Sequence, residues 1–190
     1  LAGMMEEFGI THLDDLAEYI INTSYLGTVE AIAELPKGTW HNVLTVDGYE
    51  HEIDLHAALT IAEDHITLDF DGTSGLSNKG INVPLNYATA YSVFALRCII
   101  GPDIPNNTGS LAPFRVTGPK DCILNAQPPA PVAMRHTLGQ MTPDLVYGCL
   151  AQVLPDKVPA EGASCMYDLP LRHVPEAVSR GDELFALELV

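Results

Sequence analysis

Apolar residues recur at Leu13, Leu16, Ala17, Ile20 and Ile21 and again at Val29, Ile32, Ala33 and Leu35, the one-face spacing of an amphipathic helix. The pattern predicts a helix over 11–35, capped by the Thr11 hydroxyl, with Asp14 and Asp15 at the positive end of its dipole and Pro36-Lys37-Gly38 as its stop. Ser24, Gly27, Thr28 and Ala31 form a second stripe, of small residues, along which another element can pack closely. From 39 to 70 the texture changes to alternation. Val43–Val46, Ile53–Ala57 and His65–Phe70 read as antiparallel strands, joined by a tight Asp47-Gly48 turn and by Ala62-Glu63-Asp64.

Residues 87–100 are apolar on nearly every side, which predicts a helix buried against the sheet and ended by Gly101-Pro102. The stretch 103–131 is rich in proline, which fixes the backbone and removes ladder donors, so it reads as a winding connection with short strands at 114–117 and 122–124. A last helix is expected over 137–154, with Pro143 in its first two turns, followed by strands at 164–169 and 183–190. Helices and strands come in blocks, so the class is α+β: an antiparallel meander packed with two or three long helices. Residues 1–38 form a helical lead-in, 39–135 a β-rich region with one buried helix, and 136–190 a helix with closing strands.

Composition narrows the function. The chain has 190 residues, 47% of them apolar, and a formal charge of −16. Binding to phosphate backbones or anionic lipid needs clustered Lys or Arg, and no such cluster exists, so neither nucleic acid nor membrane is expected as a partner. No apolar run reaches the roughly 20 residues of a membrane helix, and no signal peptide is recognised at the start. Cys98, Cys122, Cys149 and Cys165 lack the close spacing of structural zinc sites and read as reduced, mostly buried thiols of a cytoplasmic protein. A first residue other than Met and an apolar final stretch suggest a piece of something larger.

The densest run of unusual residues is Asp69-Phe70-Asp71-Gly72-Thr73-Ser74-Gly75, leading to Gly80-Ile81-Asn82-Val83-Pro84. Carboxylates, hydroxyls and amides in a glycine-rich loop can converge on a ligand; the same residues can equally cap a solvated turn. Arg135-His136 opens the last predicted helix, where a histidine suits a neutral hydrogen-bonding role and Arg135 can hold an anionic group. Arg97 lies on the most apolar helix and needs a partner, for which Asp69 or Asp71 is the expectation. His41, His51, His56 and His65 lie in or beside the meander, but His51 and His56 fall on opposite faces of a strand, which disfavours a shared metal. None of the common short catalytic or nucleotide-binding motifs is present.

Asp69–Ser74, Gly80–Pro84, Ala95–Cys98, Pro102–Gly109 and Leu124–Ala130, in this order, resemble successive motifs of the hydantoinase B/oxoprolinase family, and Leu35–Thr39 and Val158–Gly162 extend the likeness over nearly the whole chain. The resemblance implies a middle-to-late portion of the B subunit of an N-methylhydantoinase-like enzyme, with the remaining part of that subunit and an ATPase-like A subunit as partners. ATP would activate a lactam or imide carbonyl in the A part, and the B part would hydrolyse the ring. Related ketone carboxylases use similar subunits, and a non-catalytic scaffold docking the A subunit is a third option. ATP and a divalent metal are implied for the complete complex and no cofactor for this portion, because the His- and Asp-bearing stretch that binds metal in relatives has no counterpart here. On this reading Asp71, Thr73, Ser74 and Asn82 line the site wall, Arg97 and Arg135 position anionic groups, and His136 is the acid/base candidate. The acidic turn at Asp71 and the pair Arg135-His136 are expected to share a cavity. The sequence Ala133–Gly139 departs from the usual family run after the double proline and leaves the substrate open.

Overall fold

A computed structural model describes residues 2–162 and the backbone of 171–173 and 187–189. The elements are α1 (Ala2–Glu7), α2 (Asp14–Ala33), β1 (Gly38–Val46), β2 (Ile53–Ile61), β3 (Ile66–Asp69), α3 (Leu85–Ile99), α4 (Thr108–Leu111), β4 (Phe114–Thr117), α5 (His136–Gly139), α6 (Thr142–Leu150), β5 (Leu171–His173) and β6 (Leu187–Leu189). The fold is α+β, as the blocks of pattern predict. Residues 164–169, where a strand is expected, lie outside the described residues, as does Cys165.

β2 organises the sheet. Its strict alternation buries Ile53, Leu55, Ala57, Leu59 and Ile61 on one face and leaves Asp54, His56 and Thr60 on the other. It pairs antiparallel with β1 along its whole length and with β3 over 58–61. β4 then adds to β3 in parallel, so the sheet is mixed rather than purely antiparallel. A parallel neighbour needs a long crossover, and α3 supplies it. The β1–β2 connection spans residues 47–52 instead of turning tightly at Asp47-Gly48, because Val46 pairs with Ile53.

The inner face of the sheet is covered by α3 and α6, whose Ala88, Ala95, Leu96, Leu145, Val146, Cys149 and Leu150 join the core. Each fully buried Leu, Ile or Val there contributes about 1.5–3 kcal/mol of transfer free energy. Residues 122–124 are buried but form no strand. Their backbone instead ties neighbouring loops together, Ile123 N–H donating to Ser74 O at 2.9 Å and Ile123 O accepting from Val83 N–H at 2.7 Å. The expected 137–154 helix is two elements. Pro143 cannot donate to the ladder, so α6 begins there with proline in its first turn, and the Thr142 hydroxyl donates to the Gly139 carbonyl at 2.8 Å.

α2 reverses an expectation. Its packing face is the small-residue stripe, and much of the strongly apolar face lies exposed. α4 docks on that stripe so closely that a Cβ at Gly109 would overlap the Ile21 carbonyl oxygen. Asn107 fixes the contact. Its side-chain oxygen caps α4 through Gly109 N–H and Ser110 N–H, and its amide nitrogen donates to Ser24 Oγ at 2.8 Å. Thr11 makes no cap, since the helix starts at Asp14 after Leu13, which bonds through no side chain.

Candidate functional site

The loop from Asp71 to Pro84 leaves β3 at Phe70 and turns at Gly72, whose φ of +89° favours glycine. Beyond that turn the chain runs along the free edge of β2. Thr73 Oγ1 accepts from His56 N–H at 2.9 Å and donates to His56 O at 3.2 Å. Ser74 N–H donates to Asp54 O at 2.9 Å, and Ser74 Oγ accepts from Asp54 N–H at 3.0 Å. The two hydroxyls thus stand in for missing ladder groups. Asn82, fully buried, closes the other end of the loop. It accepts from Ser77 N–H at 2.8 Å and donates to the carbonyls of Ser77, Lys79 and Pro131, each at 2.9 Å.

The bond to Pro131, together with Met134 N–H donating to Gly80 O at 2.8 Å, seats this end of the loop against the segment that leads into α5. Arg135 there stands over the Tyr87 ring at 5.6 Å, and Tyr87 stacks on Tyr91 with centroids 4.9 Å apart. Gly139 is required by this cluster, because a Cβ would overlap the Tyr87 ring. Arg135 also donates to Val132 O at 3.3 Å. His136 is half-buried at the start of α5, a four-residue element, so the dipole of a long helix invoked for it from the sequence is not there. The imidazole of His136 and the exposed carboxylate of Asp71 make no hydrogen bond with the described residues.

Arg97 belongs to a third place. It is only 7% exposed, and among the described residues no carboxylate meets it, contrary to the expected pairing with Asp69 or Asp71. It donates to the Ile100 carbonyl at 2.8 Å, to the Ile104 carbonyl and to Asn106 Oδ1 at 3.2 Å, so neutral oxygens of the loop after α3 take its hydrogen bonds. Burial pushes its guanidinium below the ordinary arginine range. It lines a groove of about 770 Å³ between α3, α4 and β4, together with Asn86, Val93, Phe94, Asn106 and Phe114. Sequence reading missed this groove. Its signal is the helical stripe Asn86, Thr89, Ala90, Val93, Phe94 and Arg97, which mixes polar and apolar residues on one side of a helix expected to be buried all round. Phe94 is 60% exposed.

A smaller groove of about 230 Å³ lies between β1 and α6, beside Asn42, Tyr147 and Glu161. Of the seven sequence candidates only Arg97 lines either groove. Burial holds Tyr147 up at about 12 and Cys149 up at about 11, and it also raises Cys122, so the two buried thiols are chemically quiet. Cys98 is exposed. Among the described residues no three His, Cys, Asp or Glu side chains gather as ligands for a metal ion, so the divalent ion implied by the resemblance has no donor set in them. No described helix is long and apolar enough to cross a membrane.

The chain is 27% identical over 172 residues to a candidate D-/L-hydantoinase B-type subunit of Pseudomonas sp. (strain NS671), covering 83% of this chain and 29% of that protein. Among solved structures it resembles the ATP-dependent caprolactamase from Pseudomonas jessenii with a TM-score of 0.72 and 17% identity, over 82% of this chain and 28% of that one. It also resembles the nucleotide-free structure of an ATP-dependent acetone carboxylase, with a TM-score of 0.66 and 18% identity, over 74% of this chain and 22% of that one. The chain therefore spans less than a third of the length of each. The hydantoinase B/oxoprolinase family matches residues 1–186, and the chain belongs to it.

Proposed function

We propose that this chain is part of the B subunit of an ATP-dependent cyclic-amide hydrolase, which opens a lactam or imide ring after an ATPase-like A subunit has activated the ring carbonyl. The observation that carries this reading is the family match over 1–186. The hydantoinase relative and the caprolactamase fold both point to cyclic amides as the substrate class. An amide resists water because its nitrogen lone pair is delocalised into the carbonyl; phosphorylating the oxygen removes that stabilisation, and ring opening then needs a base for water and an acid for the leaving nitrogen.

His136 suits the acid/base role because among the described residues no side chain or backbone group holds its ring, which leaves it able to exchange a proton with a bound ring. Arg135, oriented by Tyr87, would position an anionic group beside it, and Asp71 would bind substrate with its exposed carboxylate. Thr73, Ser74, Asn82 and Arg97 would shape the site through the backbone groups they hold. A cytoplasmic setting suits an ATP-dependent complex. The acetone carboxylase fold supports a second reading, in which the activated carbonyl is carboxylated.

Assaying the subunit-length protein with its ATPase partner on a hydantoin and a lactam separates the two. ATP-dependent ring opening without bicarbonate is the expected result. A strict bicarbonate requirement would select carboxylation, and no reaction with any cyclic amide would remove the hydrolase reading.

A further inference from the structure

The i to i+4 ridge of α2 runs Leu16, Ile20, Ser24, Thr28, Ile32, and its exposures are 44%, 44%, 4%, 0% and 0%. One continuous ridge is thus covered over its C-terminal half, where α4 and Ile104 sit on the small residues, and bare over its N-terminal half. The bare half carries the bulkier side chains. Tyr19 is also exposed beside it. A helix ridge that is apolar and exposed where no described element covers it marks a face built for a further element.

Charge decides what kind. Residues 1–36 contain seven carboxylates (Glu6, Glu7, Asp14, Asp15, Glu18, Glu30, Glu34) and no Lys or Arg. A second copy laid on this ridge would bring Asp14, Asp15 and Glu18 of both copies together with no counter-charge, which disfavours self-pairing. The relatives supply the alternative. This chain accounts for 29% of the hydantoinase relative and 28% of the caprolactamase chain, so in such proteins most of the polypeptide lies outside the matched region.

We infer that the bare half of the α2 ridge, Leu16 and Ile20, is covered by another segment of the same subunit, an apolar segment with Lys or Arg at its rim. The inference rests on family membership and not on which reaction the complex performs, so failure of the ring-opening assay would leave it standing.

The test places Leu16→Gln with Ile20→Gln in this 190-residue chain and in the subunit-length product of the same gene. In the short chain the pair should leave the melting temperature within about 2 °C, since both side chains are solvent-exposed; in the long product it should lower it by about 5 °C or more. In the unmutated proteins, amides of residues 16–26 should exchange about tenfold more slowly in the long product than in the short chain. Replacing Asp14, Asp15 and Glu18 with Lys should weaken that protection. Equal exchange in both proteins, or protection that appears only when the ATPase subunit is added, would overturn the inference. So would a stable dimer of the short chain that the double substitution dissolves, or a gene product no longer than this chain.

Discussion

The loop end held by Asn82 lies against the segment that leads into α5, yet the polar side chains of the two regions have opposite standing. Asn82 makes four hydrogen bonds, all to backbone groups, and Thr73 and Ser74 behave alike at the loop's other end. Among the described residues the His136 imidazole finds no hydrogen-bond partner, and neither does the carboxylate of Asp71, two residues before Thr73. The lesson is that density of polar residues does not separate scaffold from site. A buried polar group without a partner is costly, so a loop that leaves the sheet must itself supply the partners its neighbours lack, and the residues suited to that work are also those suited to ligands.

If the contrast holds, Asn82→Leu should have the largest effect. It removes the buried side chain that pairs Ser77 N–H and three carbonyls in part-buried bonds, and a loss of about 3 kcal/mol is expected in denaturant unfolding. A mild loss would mean that the loop is held elsewhere. The core below both regions provides a pH reference. Cys149 is neutral in the fold and raised to about 11, from an ordinary thiol value near 9. Its stabilising contribution is complete below pH 9 and is lost as pH rises towards 11, by about 2–3 kcal/mol. A Tm series over that range, flattened in Cys149→Ala, checks the sign.

Thr73→Val keeps the shape of the side chain but removes both bonds to His56, and should cost about 1–2 kcal/mol. Asp71→Asn should fall within about 0.5 kcal/mol of the parent, because the carboxylate is exposed and bonds to none of the described residues. The sharpest form of the comparison is between these two neighbours. A large stability loss at Asp71 would show that the turn, too, is scaffold.

Much of the fold is legible in the sequence because period and burial coincide. The alternation Ile53, Leu55, Ala57 fixes β2 and its inner face, and β4 was recognisable as Phe114–Thr117. The parallel placement of β4 was not legible, since strand direction depends on the crossover and not on any residue within the strand. α2 was legible as a helix but not in its orientation. Area alone favours burying Leu16 and Ile20, whereas close approach by α4 selected Ser24, Gly27 and Thr28. The expected Arg97 salt bridge failed for a similar reason, as two backbone carbonyls, which carry no sequence signature, and the neutral Asn106 side chain take its hydrogen bonds. For the site, Arg135-His136 stood out in sequence, but the Tyr87–Tyr91 stack that orients Arg135 is visible only once α3 and α5 are brought together.

The claim that the unheld side chains carry the chemistry meets its most direct test in His136→Gln within the assembled complex. ATP-dependent ring opening and melting temperature should be measured on the same preparation. The account predicts a fall in kcat of about a hundredfold or more with the melting temperature within about 2 °C of the parent. Unchanged turnover in a folded complex would contradict it.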